Sequence, residues 1–429
     1  MFKKGIVVTG IFIASTVLQL ISQIIITRVF GASFELDVFL AAVAIPAIVV
    51  TVIYGTFNDA FLPLFGEKKT NDPEHADQYF FSHLLSLSLL SFGVAIVLML
   101  SANPISQLLY GRRGVVFVKD VAFQMRYLFM IIPVAVISTL LGTYAYAHKN
   151  FIRFPLAQLL GSLLNVIIIL FLSQSIGIWA LIMGFVGNIL IQVLFLLPRS
   201  LLSQTPKFSN ITPFLYAFLP LMIGSFALRS DTLIIRSYGS LLPEGYLVYL
   251  NLISKIFSVA TGVLTIGIQV LLLPHLVEFL SEKKVSQAIA YVNKAKILGL
   301  FISIVIIIAI TLLSPLIIQL LFVGGKFTAK DATTASSMIP LFILPAIAWG
   351  TNSIFFQPLV ALKKQFQLGV LNVAALILGI GVAWTANQLF GPLFAIISGI
   401  TVQLFTGIIG SEILWQYHKK KLLTSVSSS

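Results

Sequence analysis

Charged side chains fall inside stretches of this 429-residue chain that are otherwise apolar enough to cross a lipid bilayer, Lys255, Arg229 and Asp231 among them. Lys255 stands about ten residues into the apolar run that begins near residue 245, ~15 Å along a helix axis. That is close to mid-membrane, where a charge costs at least ~2.5–3.5 kcal/mol. Its presence there points to an anion-binding function, or to a structural pairing with a carboxylate on another helix. Arg229 and Asp231 lie in the preceding run. Two residues apart on a continuous helix, they face nearly opposite sides and cannot pair with each other. Each is expected to need a partner elsewhere or a wet cavity. Arg229, roughly 10 Å from the end of its run at Arg236, is also within snorkelling reach of the surface.

The first apolar run adds an uncharged signal. Thr9, Thr16, Gln19, Gln23 and Thr27 fall on one helical stripe, with Ser15 and Ser22 beside it. Glutamines facing lipid are costly, so the stripe either bonds neighbouring helices or lines a hydrated cavity. The depth of Lys255 favours the cavity. Asp37 opens the second run, where a carboxylate suits a helix N-terminus, and capping and function are both open to it. Asn58 and Asp59, near the far end of that run, are candidates for a gate. Arg28 and Arg236 hold equivalent places in the two halves and read as interfacial anchors, as does Arg126.

Catalysis has no such support. The histidines (His75, His83, His148, His275 and His418) fall in loops or at helix ends, without metal-ligand spacing or a neighbouring nucleophile. No GxxxxGK[ST] phosphate loop occurs, so the chain does not itself hydrolyse ATP. The expectation is a protein that is not an enzyme and carries no metal or cofactor.

The elements that position these residues follow from composition. A mean hydropathy of +1.03, 58% hydrophobic residues and 10% charged residues exclude an ordinary soluble domain. Twelve apolar runs are long enough to span, near residues 5–27, 38–62, 83–103, 122–147, 154–174, 177–198, 212–235, 245–273, 296–323, 335–361, 367–389 and 392–417. Pro46, Pro133, Pro220, Pro340 and Pro345 lie inside runs and predict kinks. The run after Lys3 and Lys4 is too long for a signal peptide and is expected to stay as a first helix. Ser425–Ser429 reads as a frayed tail.

The net charge of +13 is not a nucleic-acid footprint. Most lysines and arginines fall on the side of the N-terminus, from Lys3 and Lys4 through Lys68, Lys69, Lys149, Arg153, Arg199 and Lys207. The series continues with Lys283, Lys284, Lys294, Lys296, Lys363, Lys364 and Lys419 to Lys421. The opposite side holds only Arg28, Arg112, Arg113, Lys119, Arg236, Lys326 and Lys330. By the positive-inside rule both termini are expected in the cytoplasm. Cysteine is absent, so no disulfide is available.

The halves repeat each other. PISQLLYGRRGVVFVKD (Pro104–Asp120) returns as PLIIQLLFVGGKFTAKD (Pro315–Asp331). Phe30-Gly31-Ala32 returns as Tyr238-Gly239-Ser240, Leu62-Pro63 as Leu273-Pro274, Pro133 as Pro345, and Leu164-Asn165-Val166 as Leu371-Asn372-Val373. Six spans per half is an even number, so the halves are expected to be parallel repeats, 1–207 and 208–429, with a binding site between them.

At TRVFGASFELDVFLAAVAIP (Thr27–Pro46), NDAFLPLFGE (Asn58–Glu67) and ISKIFSVATGVLTIGIQVLLLPHL (Ile253–Leu276) the chain resembles the MurJ/MviN lipid II flippases, within the multidrug/oligosaccharidyl-lipid/polysaccharide exporter superfamily. The resemblance implies an all-α membrane protein of two V-shaped six-helix lobes around a cationic cavity. It implies a bacterial inner-membrane flippase for lipid II or another polyprenyl-diphosphate saccharide, working by alternating access. Lys255 falls where the family's eighth helix carries an arginine, and Asp37 matches an aspartate opening the second helix. There are departures. Thr16 and Ser22 stand where the family places first-helix arginines, Val49–Thr51 replaces a second-helix pair, and the chain stops before two further family helices.

On this reading Lys255 and Arg229 would bind the diphosphate, and Thr16, Gln19 and Gln23 would meet sugars or water. Asp231, Asp37 or Asp59, with Asn58, would serve coupling or gating. The drive would be membrane potential or a Na+ or H+ gradient. Membrane lipids and glycan-synthesis enzymes are the expected partners. The alternatives are a multidrug or cation antiporter of the same superfamily and a non-transporting scaffold.

Overall fold

A computed structural model describes the backbone of residues 2–198, 205, 208, 210–282 and 284–427, and the side chains of these except 2–6, 263–271, 273, 274 and 425–427. Arg199, Lys207 and Lys283, the expected boundary after residue 207 and the expected tail from residue 425 lie wholly or partly outside that set.

All twelve apolar runs are helical. The first half comprises α1 (Phe2–Phe30), α2 (Phe34–Ala42), α3 (Ala44–Asn71), α4 (Ala76–Leu100), α5 (Ala102–Tyr110), α6 (Val115–Phe129), α7 (Ile131–Ala147), α8 (Arg153–Ile176) and α9 (Trp179–Leu196). The second comprises α10 (Thr212–Arg229), α11 (Asp231–Gly239), α12 (Tyr246–Ser281), α13 (Val285–Phe322), α14 (Ala329–Met338), α15 (Ile343–Ala361), α16 (Gln365–Phe390) and α17 (Pro392–Ser427). Among the described residues, 11 helical segments are long and apolar enough to cross a membrane, and the remaining expected span starts with the apolar Tyr246–Gly262 of α12.

Five runs are not single helices. The second breaks at Val43, the third near its end at Ser101, the fourth at Met130, the seventh at Ser230, and the tenth at a 3-10 turn, Ile339–Phe342. Pro46, Pro133 and Pro345 each occupy the third position of the helix after a break. The first N–H groups of a helix have no intrahelical acceptor, so proline there forfeits no bond. These three prolines therefore mark boundaries instead of kinking a continuous helix. Pro220 does lie inside α10, as expected.

The chain forms two compact units. Unit 1 contains Met1–Met222 together with two later segments, Pro243–Val248 and Gly324–Phe327; unit 2 contains the rest. In unit 1, α1 packs on α8, and Asn165 Nδ2 donates to Ser22 Oγ at 3.2 Å. In unit 2, Asn372, the repeat counterpart of Asn165, donates from Nδ2 to the Gly224 carbonyl of α10 at 3.3 Å. Each half thus ties its fifth helix to its first through the same amide. An interhelical bond of this kind is worth ~0.6–2 kcal/mol in a membrane. The α10–α16 crossing is close enough that a Cβ on Gly224 would lie 2.5 Å from the Gly369 Cα.

The units share a second device. Helix α7 closes with the N–H of Asn150 on the Ala145 carbonyl and that of Lys149 on Tyr146. Helix α15 closes with Lys364 on Leu359 and Lys363 on Val360. This is the paired C-terminal closure that ordinarily employs glycine at the left-handed position. Here that position is lysine, with φ 59° at Lys149 and 58° at Lys363. A side chain in this conformation costs roughly 1–2 kcal/mol.

Gly224→Ala is expected to destabilise unit 2 by ~1–3 kcal/mol, since the backbone opposite cannot yield as a side chain would. Gly93→Ala, whose methyl would meet nothing within 4 Å, is expected to be neutral or mildly stabilising. Thermal unfolding of the two variants in one detergent checks the contrast.

Candidate functional site

The break in the seventh run organises the polar groups of unit 2. Ser230 turns tightly, its N–H reaching the Ala227 carbonyl at 3.3 Å and its hydroxyl donating to the Phe226 carbonyl at 2.7 Å. Arg229 therefore ends one helix and Asp231 begins the next, the placement each charge prefers in a helix dipole. The expectation of two charges on one continuous helix is corrected. They nonetheless form no ion pair with each other. Asp231 Oδ2 accepts the Trp349 indole N–H at 2.7 Å, and Oδ1 accepts the Thr232 amide at 2.8 Å. Arg229 is exposed.

Amides from two other helices reach the last turns of α10. Gln403 Nε2 of α17 donates to the Ala227 carbonyl at 2.9 Å, beside the Asn372 bond to Gly224. Both residues also line a small cavity, together with Leu228, Asn352, Ala375 and Gly407. Asn352 Oδ1 and Gln403 Oε1 are buried and accept no hydrogen bond. The cavity lining offers amide dipoles and no carboxylate.

Lys255 lies on α12, half-buried, nine positions from the helix start at Tyr246. One turn earlier, Asn251 Oδ1 accepts from Arg236 Nη2 at 2.5 Å, and Tyr249 donates its hydroxyl to Asp331 Oδ1 at 2.6 Å. Arg236 is only 7% exposed. Its reading as an interfacial anchor is corrected: the guanidinium is inside unit 2 and engages Asn251. Its counterpart Arg28 is exposed, as that reading expects. Repeat position carried over between the halves; environment did not.

In unit 1, Asp37 is 2% exposed. It does not cap its own helix, whose cap is Ser33, the Oγ accepting from the Leu36 amide at 3.3 Å. Asp37 instead accepts from the amides of Gly245 at 2.8 Å and Val248 at 3.2 Å, at the start of α12. Glu244 Oε1 returns the arrangement, accepting from the Phe34 amide at the start of α2 at 2.9 Å. Each acid thus meets the free N–H groups of the other's helix, where partial positive charge gathers. Beside them the Lys326 amide donates to the Arg28 carbonyl at 2.8 Å.

The remaining expected residues are also in unit 1. Asn58 Oδ1 accepts from Thr143 Oγ1 at 2.7 Å, and Asp59 is exposed. Thr16 donates to the Phe12 carbonyl, and Gln23 Nε2 to Thr27 Oγ1 at 3.2 Å, so both bond within α1. Gln19 is exposed. The structure brings Asn58 to Thr143 and Asp231 to Trp349. Thr16, Gln19 and Gln23 belong to unit 1, and Lys255, Arg229 and Asp231 to unit 2. Trp349, Asn352, Asn372 and Gln403 were not singled out for function from the sequence. Their signal was available, because amides and an indole in apolar runs need partners.

Residues 26–428 match the family described as "Lipid II flippase MurJ". A Helicobacter pylori (strain 26695) protein described as a probable lipid II flippase MurJ is 23% identical over 90% of this chain and 92% of its own length. A Bdellovibrio bacteriovorus protein of the same description is 21% identical over 56% of this chain, an alignment spanning less than half (46%) of that relative. Among solved structures, a lipid II flippase MurJ in an inward closed conformation superposes with a TM-score of 0.81 at 21% identity, over 98% of this chain and 87% of that one. An inward-facing MATE family multidrug transporter gives 0.78 at 14% identity, over 95% and 96%. These likenesses to solved structures establish the fold.

Asp37→Ala leaves the Gly245 and Val248 amides without their acceptor, a loss of roughly 1–3 kcal/mol for a buried donor. Amide hydrogen exchange in peptides covering 243–250 is expected to accelerate. Asp37→Asn, which keeps one acceptor oxygen and loses the charge, is expected to fall between wild type and Asp37→Ala.

Proposed function

The chain belongs to the MurJ family of lipid II flippases, and from that membership we propose that it carries a polyprenyl-diphosphate saccharide, lipid II or a related precursor, from the inner to the outer leaflet by alternating access. It is a multi-pass membrane transporter and not an enzyme. The single observation that carries the substrate assignment is a cation retained at membrane depth, Lys255, on a helix of a chain that matches this family from residue 26 to residue 428. Lys255, with Arg229, meets the diphosphate. An ammonium and a guanidinium offer donors to phosphate oxygens, and charge-assisted bonds of this type are about twice as strong as neutral ones. Thr16, Gln19 and Gln23 meet the sugars or the water around them.

Both termini lie in the cytoplasm, on the argument from lysine and arginine distribution. Transport draws on membrane potential or on a Na+ or H+ gradient. Of the coupling candidates, Asp37 and Asp231 already accept two N–H donors each, which a cation would have to displace. Asp59 with Asn58 is the pair more open to a gating or coupling role. The same engagement of Asp231 weighs against the antiporter reading, in which that carboxylate would be the exchange site. Glycan-synthesis enzymes are the partners this activity would meet.

Lys255→Ala is expected to lower transport of lipid-linked glycan by ~10-fold or more, the effect of losing ~1.5–3 kcal/mol of charged hydrogen bonding. Lys255→Arg is expected to keep most of it. Rescue of cells depleted of their own lipid II flippase, together with flipping in proteoliposomes, measures both. A folded Lys255→Ala protein that moves the substrate at the wild-type rate would overturn the assignment.

A further inference from the structure

Among the described residues, only two other than glycine adopt a left-handed backbone, and both are lysines at corresponding places in the two repeats. Lys149 follows the last turn of α7 in unit 1, and Lys363 follows that of α15 in unit 2. The hydrogen bonds that close the two helices have the same pattern. Glycine would serve that closure without strain, so the closure itself does not call for lysine.

A capping role for the ammonium is not needed in unit 1. There the Ala147 carbonyl at the end of α7 already accepts from Lys69 Nζ at 3.2 Å. Nor is either lysine neutralised. Both are exposed, and among the described residues neither has a carboxylate within ion-pair distance. Each is instead accompanied by further positive charge, Arg153 beside Lys149 and Lys364 beside Lys363.

An exposed phenylalanine follows each lysine, Phe151 in the loop after α7 and Phe366 in the first turn of α16. Phe151 is 49% exposed and Phe366 is 67% exposed, two and three residues after their lysines. In unit 2 the first turn of α16 is held to α17 by a 2.8 Å contact between His418 Nε2 and Gln367 Oε1. Further along α17, Lys421 lies over the exposed Tyr417 ring at 4.5 Å. A cation and an aromatic ring presented together at the end of a spanning helix suit the headgroup layer, with the ring among upper acyl carbons and the ammonium on phosphate.

We propose that Lys149 with Phe151, and Lys363 with Phe366, are twin docking points for the phosphate of an anionic phospholipid, one in each repeat. The backbone strain is tolerated because only a side chain at that position puts an ammonium at the tip of the loop. The proposal does not depend on which glycan is carried, so its failure leaves the transport reading untouched.

The test uses the full chain in nanodiscs of phosphatidylcholine alone and of phosphatidylcholine with one-third phosphatidylglycerol, reading the thermal unfolding midpoint. Wild type is expected to unfold at a higher temperature with phosphatidylglycerol. The double variant Lys149→Gly/Lys363→Gly is expected to lose most of that rise, yet to match or exceed wild type in phosphatidylcholine alone because strain is relieved. Lys149→Arg/Lys363→Arg is expected to keep the rise. An undiminished rise in the glycine variant overturns the proposal. So does a lower midpoint for that variant in phosphatidylcholine, which would make the lysines helix caps. Soluble glycerol phosphate reproducing the rise would also overturn it, by assigning the loops to free phosphate.

Discussion

A backbone that crosses hydrocarbon must satisfy its own N–H and C=O groups, and much of this molecule answers that constraint. Helix supplies most of the answer. At Val43, Met130, Ser230 and the turn Ile339–Phe342 the regular helical ladder is interrupted. At the seventh span the repair is visible: amides of Gln403 and Asn372 reach carbonyls of α10. At the starts of α2 and α12 the exposed amides are met by Glu244 and Asp37. Several polar side chains of the spans are thus committed to backbone groups of other helices.

Duplication supplies the scaffold and divergence supplies the chemistry. Asn165 and Asn372 perform one task in two places, and Lys149 and Lys363 close two helices alike. The first span of each half is where symmetry fails. Helix α1 runs unbroken from Phe2 to Phe30, whereas its counterpart divides at Ser230 into α10 and α11. The division creates a helix C-terminus at Arg229 and an N-terminus at Asp231, so two opposite charges can sit close in sequence at depth with each dipole in their favour. Unit 2 also holds an ion pair of the buried Lys296 with the half-buried Glu412 at 2.5 Å, whose ammonium lies over Phe355 and Trp415.

The spans were legible because burial in lipid imposes one rule on every residue of a run, and a rule applied twenty times over leaves a clear trace. The repeat was legible for a similar reason, through loops such as Pro104–Asp120 and Pro315–Asp331. What sequence did not convey was pairing at a distance. Asp37 meets amides more than two hundred residues away, and nothing in its neighbourhood names Gly245 or Val248. The Ser230 break was hidden because neither proline nor glycine marks it; serine bonding back to Phe226 is a local signal too common to read. Arg236 misled for a sharper reason. Its repeat mate Arg28 is exposed, but a partner, Asn251, lets the second arginine stay inside.

The scarcity of cations bears on how such a carrier would cycle. A diphosphate linking lipid and sugar bears about two negative charges, and on the proposed reading Lys255 with Arg229 would supply two positive ones. Capture at that balance neutralises the headgroup without holding it in excess, and a carrier must release what it captures. A denser cationic lining would deepen the bound state and slow release, since each charge-assisted contact adds ~1.5–3 kcal/mol that dissociation must recover. Neutral donors such as Thr16 and Ser22 in place of arginines would shift recognition from phosphate toward hydroxyl-rich groups. On the proposed reading, this member of the family binds its diphosphate more weakly than an arginine-lined relative and leans more on the saccharide. Substrate preference would then follow the glycan more closely than the lipid phosphate.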